Sequence, residues 1–292
     1  MTFPALQQYL ARLHDSPVDT TLWLDEQGKA HGRYFNSTLT SAFQPIRLLE
    51  SGRITGVQAF MRSHSTSDEG LSLWKLLDTV ATDDQSIELD RLCRLLHAVN
   101  FYRQPDLADH DLYLSVHARL LSAVDSNHGT SFRHVLDVLG LPHRKIVLQL
   151  PPIQPDQAWL LNYVADNYRR NGFRLAINAA NAHQGLALLD EVQPDVIKVD
   201  VREITDEAAT LQLLRNAGNK NVPVIFKRVE TTGVRDKLQK LGRQSGQPIV
   251  AQGYFWDRPQ AVPASAADAF GDDRLGADAV LHASAAGCGA AQ

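Results

Sequence analysis

The sequence predicts an α/β fold, a closed (β/α)8 TIM-like barrel preceded by a short N-terminal elaboration. Short, mainly apolar runs recur along the chain, each ending on a polar residue: Asp111–His117, Lys145–Gln149, Phe173–Asn178, Val196–Asp200 and Val222–Lys227. Such runs read as buried parallel strands, because helices cover one face of the sheet and a barrel core covers the other. Helical patterns separate them at the βα rhythm, and about eight strands can be counted. No Gly-x-Gly-x-x-Gly follows a first strand, which argues against an open, doubly wound sheet.

Residues 1–40 read as a leader, too short to be a domain of its own. Within it, Leu6, Tyr9, Leu10 and Leu13 share a helical face, and Thr20–Leu24 reads as a short strand closed by the turn Asp25–Gly28. The barrel is expected over 41–260. Its first strand, Phe43–Leu49, carries Pro45, which suits an edge or first-strand position. The turn Glu50–Arg53 sends the second strand, Ile54–Arg62, back antiparallel to it. Helices are expected over 71–77, 87–99, 132–139, 155–171, 183–191, 206–217 and 231–242, with Gly172 closing the fourth. Pro248–Gly253 is the last strand. From residue 261 to 292 small and polar residues dominate, so a flexible tail is expected there.

Composition narrows the function classes. With 44% hydrophobic residues in 292, the chain can bury one large core. A formal net charge of -4 gives no bulk basic field for nucleic acid. Cys93 and Cys288 lie far apart and form neither a zinc motif nor a disulfide framework, so a cytoplasmic setting is expected. No apolar run reaches membrane-spanning length.

Candidate functional residues come from strand parity, since alternate side chains share a face. Lys198 and Asp200 point one way on their strand, and equivalent readings select Gln58, Phe60 and Arg62, His117, Gln149, Asn178, Lys227 and Gln252. In a closed barrel these side chains line the mouth, where such enzymes hold their chemistry. Asp200 is the one carboxylate in that ring, with Glu230 in the loop after it, whereas two divalent ions need several hard oxygen ligands. Lys198, Lys227, Arg62 and Arg228 instead make the mouth cationic, which suits phosphate. The plain structural reading stands beside this one: Lys198 with Asp200 as an ion pair, and the amides as partners for loop backbone.

At these residues the sequence resembles the EAL domain of bacterial cyclic-di-GMP signalling, from about Ser41 to Pro259. Phe43-Gln-Pro-Ile46 matches the family's opening, and Gln58-Ala-Phe-Met-Arg62 stands where the family has Glu-Ala-Leu-x-Arg. Asp195-Val-Ile-Lys-Val-Asp200 matches Asp-x-Ile-Lys-Ile-Asp. Val229-Glu-Thr231 is similar to the end of Ala-Glu-Gly-Val-Glu-Thr, and Gln252-Gly-Tyr-Phe255 with Pro259 to the family's close. The resemblance implies a barrel whose first strand runs antiparallel, and hydrolysis of cyclic di-GMP by two Mg²⁺ or Mn²⁺ ions. The departures fall on the implied ion ligands: Gln58, His117, Gln149, Asn178, Ala179 and Lys227 stand at those positions, with Pro152 at an adjacent acidic one.

The expectation is therefore a protein without enzymatic activity and with no metal or other cofactor, because without metal nothing lowers the pKa of water enough. Lys198 would remain as a remnant of the catalytic set. Two functions stay open. As a metal-independent cyclic-di-GMP receptor, the protein would meet phosphate through Arg62, Lys198 and Lys227, and guanine through Gln44, Phe60, Glu230 and Pro259, with Asp200 and Gln252 completing the site. As a protein-interaction scaffold, it would work through a protein partner that supplies sensing or output. A third class, an unrelated barrel enzyme using His117 and Lys198, lacks a nucleophile or a paired acid and base.

Overall fold

In the computed structural model, residues 2–14, 21–65, 82–117, 128–151 and 158–262 are described. The helix expected over 71–77, Pro152 and the tail beyond 262 lie outside them. Helix α1 (Pro4–His14) leads into strands β1 (Leu22–Leu24) and β2 (Ala30–Tyr34). The barrel strands are β3 (Ser37–Leu48), β4 (Ile54–Ser65), β5 (Asp111–Ser115), β6 (Ile146–Leu150), β7 (Arg174–Ala179), β8 (Val196–Asp200), β9 (Val224–Lys227) and β10 (Val250–Gln252). The intervening helices described are α2 (Asp83–Tyr102), α3 (His128–Val138), α4 (Ala158–Arg170), α5 (Ala182–Glu191), α6 (Glu207–Asn219) and α7 (Thr232–Ser245).

Strands β4 to β10 pair in sequence order and in parallel, while β3 pairs antiparallel with both β4 and β10 and so closes the ring. Pro45 sits opposite Val57 of β4. Its missing N–H faces the other side, between the Phe43–Gln260 bridge and the Arg47–Ala251 pair. No ladder bond is lost there, which reconciles proline with a strand that has no true edge.

Inside the ring lies an apolar floor of one residue from each of seven strands: Ile46, Tyr113, Val147, Ala176, Val196, Ile225 and Val250. On β4 the matching position is Gly56, where a Cβ would come within 2.6 Å of the Tyr113 ring. Glycine there makes room for an aromatic plug. The larger core lies outside, where sheet residues such as Leu114, Leu148 and Ile197 meet the helices.

The leader is more closely integrated than its sequence implies. β2 and β3 form a hairpin that crosses the boundary expected at residue 40. Nothing in the sequence marks the turn, because Phe35 takes the positive φ (48°) that glycine usually supplies. Asn100 of α2 then holds β2 like a neighbouring strand. Its Oδ1 accepts from Ala30 N–H at 2.8 Å and its Nδ2 donates to Ala30 O at 2.8 Å.

Asn100 ends a buried polar stripe of Ser86, Asp90, Arg94, His97 and Asn100, spaced three or four apart on one helix face. Asp90 pairs with Arg94, and His97 meets the Ser41 hydroxyl at 2.9 Å. Burial pushes the His97 pKa down to about 3, so the ring stays neutral.

Asn100→Ala strands the buried N–H of Ala30 and leaves its carbonyl only the Thr40 hydroxyl at 3.1 Å, at a cost of about 1–3 kcal/mol. Thermal unfolding should show a lowered midpoint, and amide exchange should show lost protection in 30–34 ahead of β5–β9. Unchanged protection at Ala30 would refute the clamp.

Candidate functional site

Two residues further along each barrel strand, the floor gives way to a polar layer. It contains Gln44, Gln58, Gln149, Asn178, Lys198, Lys227 and Gln252, all but Gln149 and Lys227 fully buried. Of the mouth residues expected from strand parity, Gln58, Gln149, Asn178, Lys198, Lys227 and Gln252 stand in this layer, whereas Arg62, His117 and Asp200 do not. Lys198 is the centre of this layer, only 1% exposed. Its Nζ donates to Gln58 Oε1 at 2.7 Å, Gln149 Oε1 at 2.9 Å and Gln252 Oε1 at 3.1 Å. Those four residues come from alternate strands, β4, β6, β8 and β10, as one layer of a packed barrel does.

An ammonium has three donors and all three are used here. The Tyr113 ring lies beneath it, its centroid 5.2 Å from Nζ, adding a cation–π contact. Burial and the nearby charge of Lys227 push the Lys198 pKa well below its ordinary value. The carbonyls oppose that push.

The amides are ordered in turn by a second set of bonds. Gln252 Nε2 donates to Gln44 Oε1 at 2.9 Å, and Gln44 Nε2 donates to Asp257 O at 2.7 Å. Gln58 Nε2 reaches Ser115 Oγ at 3.3 Å. Asn178 Nδ2 donates to Leu150 O at 2.8 Å, and its Oδ1 accepts from Lys227 Nζ at 2.6 Å. Burial lowers the Lys227 pKa, and Asp200 works against that shift. Gly253, just past β10, lets the backbone of Val229 approach so closely that a Cβ would lie 2.0 Å from its carbonyl oxygen. That contact fixes the β9 and β10 exits together.

Several sequence expectations change in this geometry. Lys198 does not pair with Asp200, which instead holds Arg202 at 2.9 Å and Arg228 at 3.4 Å. The reason is reach: Lys198 points into the barrel axis while Asp200 stands at the rim between β8 and β9. Gln44, Lys198 and Gln252 are committed to the internal network, so their polar ends are not presented to a ligand. At the rim Phe60 is 38% exposed, Glu230 is exposed, and Arg62 Nη2 donates to Pro259 O at 3.0 Å. Ala179 is buried, and the backbone N–H of His117 points to Asp90 at 3.5 Å.

Two features were not legible in the sequence. Lys29 of the leader lies near enough to Arg62 and Arg103 for their charges to lower its pKa, after the larger effect of burial. Arg228 has φ 63°, a left-handed conformation that costs a non-glycine residue roughly 1–2 kcal/mol. Both depend on backbone paths that no local pattern encodes.

Among the described residues, no group of three or more His, Cys, Asp or Glu side chains comes together to hold a metal ion. The donors facing the barrel axis are neutral amides already turned toward an ammonium. This donor set does not fit a pair of divalent cations.

Stability should depend on Lys198 in a sign-defined way. Its folded pKa lies below that of the unfolded chain, so the unfolded state binds more protons in between. Stability therefore rises as pH climbs from the depressed value toward about 10.4, the unfolded value. Urea unfolding between neutral and alkaline pH should show this slope, and Lys198→Met should flatten it. An identical slope in the variant would sink the assignment.

A family model described as the EAL domain matches residues 33–259. Among solved structures, Klebsiella pneumoniae BlrP1, in a manganese and cyclic-di-GMP complex, is similar at 23% identity and a TM-score of 0.62. That match covers 76% of this chain and 56% of BlrP1. Bacillus subtilis YkuI, in complex with cyclic di-GMP and calcium, gives 16% and 0.59 over 77% of this chain and 56% of its own. The EAL domain of Mycobacterium smegmatis DcpA gives 18% and 0.53, over 76% and 93%. The chain thus spans little more than half of the first two. A search of curated proteins gives no match, and no described helix is long and apolar enough to cross a membrane. The matched barrel, its antiparallel first strand and the family model together place this chain in the EAL domain family.

Proposed function

We propose that this protein is a catalytically inactive EAL-domain regulator in cyclic-di-GMP-linked signalling, and that it binds the dinucleotide without metal. The observation that carries the reading is the Lys198 ammonium enclosed by three glutamine carbonyls. A positive charge anchored in the chain stands among donors that would otherwise face ions. Lys227 adds a second cation on Asn178. A divalent ion entering this layer meets repulsion from both lysines, and the nearby carboxylate, Asp200, is already held by Arg202 and Arg228. Water at the mouth then has nothing to lower its pKa, and the hydrolytic nucleophile does not form.

An anion experiences the same mouth differently. Lys227 keeps two donors beyond its bond to Asn178, and Arg62 lies beside Lys29 and Arg103 at the other side of the rim. These cations can meet the two phosphates of a cyclic dinucleotide. Phe60 offers an exposed ring for a guanine base, and Glu230 can accept from guanine N–H groups. Solved relatives similar to this chain include complexes with cyclic di-GMP.

A second reading, a scaffold for a protein partner, draws on an apolar groove between α1, α2 and α3. It encloses about 370 Å³ beside Tyr9, Leu95, Val135 and Val138. It adjoins a smaller cavity of about 180 Å³ against Phe132. Apolar concavities of this kind receive side chains of a partner.

Calorimetric titration with cyclic di-GMP tests the first reading. Binding is expected in EDTA and unchanged by Mg²⁺, with Lys227→Ala and Arg62→Ala each weakening it about tenfold. Turnover with Mn²⁺ should match that of a Lys198→Ala control. Metal-stimulated hydrolysis above the control overturns the inactive reading, and absence of binding leaves the scaffold.

A further inference from the structure

We propose that the rim between β8 and β9 is a phosphate-monoester site, in which Arg228, Arg202 and Lys227, oriented by Asp200, take a dianionic terminal phosphate. This goes beyond the receptor reading: the two share Lys227, but Arg202 and Arg228 belong to this site alone and neither Arg62 nor Phe60 takes part.

Three observations converge there. Arg202 and Arg228 approach one carboxylate from two sides. Arg202 Nε and Nη2 donate to Asp200 at 3.0 and 2.9 Å, and Arg228 Nε lies 3.4 Å from Asp200 Oδ2. Asp200 and Lys227 are register partners on β8 and β9, so the ammonium belongs to the same corner. Three cations against one carboxylate leave two positive charges. Glu203 and Glu230, the nearest acids in sequence, form no ion pair with these residues among the described residues.

The unused donors suit a tetrahedral anion. Lys227 holds Asn178 with one N–H and has two left. Arg202 Nη1 and both Nη groups of Arg228 make no hydrogen bond among the described residues, and Arg202 is 63% exposed. Guanidinium forks match phosphate oxygens in geometry as well as charge. The surplus of two charges balances a monoester dianion rather than a diester, which carries one.

The backbone supplies an independent indication. Arg228 holds φ 63° where the EAL motif has glycine. An outlier retained at a charged rim residue points to a function for its side chain. A residue serving the fold alone would be released from strain by glycine.

The experiment is an NMR titration of the full chain at ~0.15 M salt, near physiological ionic strength, with methyl phosphate and dimethyl phosphate as probes. Methyl phosphate should shift resonances at 200–203 and 227–229, and bind more tightly as pH rises through about 6, where the monoester becomes dianionic. Arg228→Gly and Arg202→Ala should each weaken it about tenfold or more. Arg228→Gly should leave the thermal midpoint unchanged or raised, because glycine accepts the left-handed conformation. Equal binding of the two phosphates, no binding, or affinity unaltered in both variants would overturn the proposal. A lower midpoint for Arg228→Gly with methyl phosphate affinity intact would also overturn it, marking the arginine as structural. Loss of cyclic di-GMP binding alone, with methyl phosphate retained, would count only against the receptor reading.

Discussion

One ammonium group organises the upper half of this barrel. Lys198 crosses the interior and is held by carbonyls from β4, β6 and β10, so strands on opposite sides of the ring share one hub. A buried cation is costly unless its donors are all met, and here they are. The same bonds dictate which way each amide faces. Once the Oε1 atoms of Gln58, Gln149 and Gln252 turn inward, their Nε2 groups must find acceptors, and Ser115, Asn178 and Gln44 supply them. The order of the mouth follows from the placement of one charge.

Carbonyl dipoles stabilise that charge without cancelling it. A carboxylate cage would leave the layer neutral or negative and ready for exchangeable cations. Amides leave it positive while Lys198 is protonated, and the group that carries the charge cannot leave because it is part of the chain. Lys227 at Asn178 extends the same logic within the layer. The electrostatic character of the mouth is thus set by neutral amides and two lysines.

The degree to which sequence foretold structure follows the same divide between local and non-local causes. The parallel strands were legible because alternation and length are local signals, and parity put the floor and the polar layer together on the inward face while residue type told them apart. The antiparallel first strand was legible from the turn after Leu49. The β2–β3 hairpin was not, because Phe35 stands where glycine would announce it. Nor was the hydrogen-bonded pairing of Asn100 with Ala30, which joins residues seventy positions apart. At the site, residue types told the sign of the charge but not the partners. Lys198 and Asp200 share a face and still do not meet, since one points along the barrel axis and the other to the arginines at the rim.

The ring closes through a bond between its beginning and its end. Arg47 of β3 donates to both carboxylate oxygens of Asp257, at 2.7 and 2.8 Å, and both side chains are buried. Arg47 lies near the start of the matched domain and its counter-ion near its end. Without Asp257 the guanidinium keeps only Gly52 O as a partner, and burying it that way is costly. Closure of the ring therefore joins the two ends of the matched domain, and a chain stopped short of Asp257 would leave Arg47 without its carboxylate.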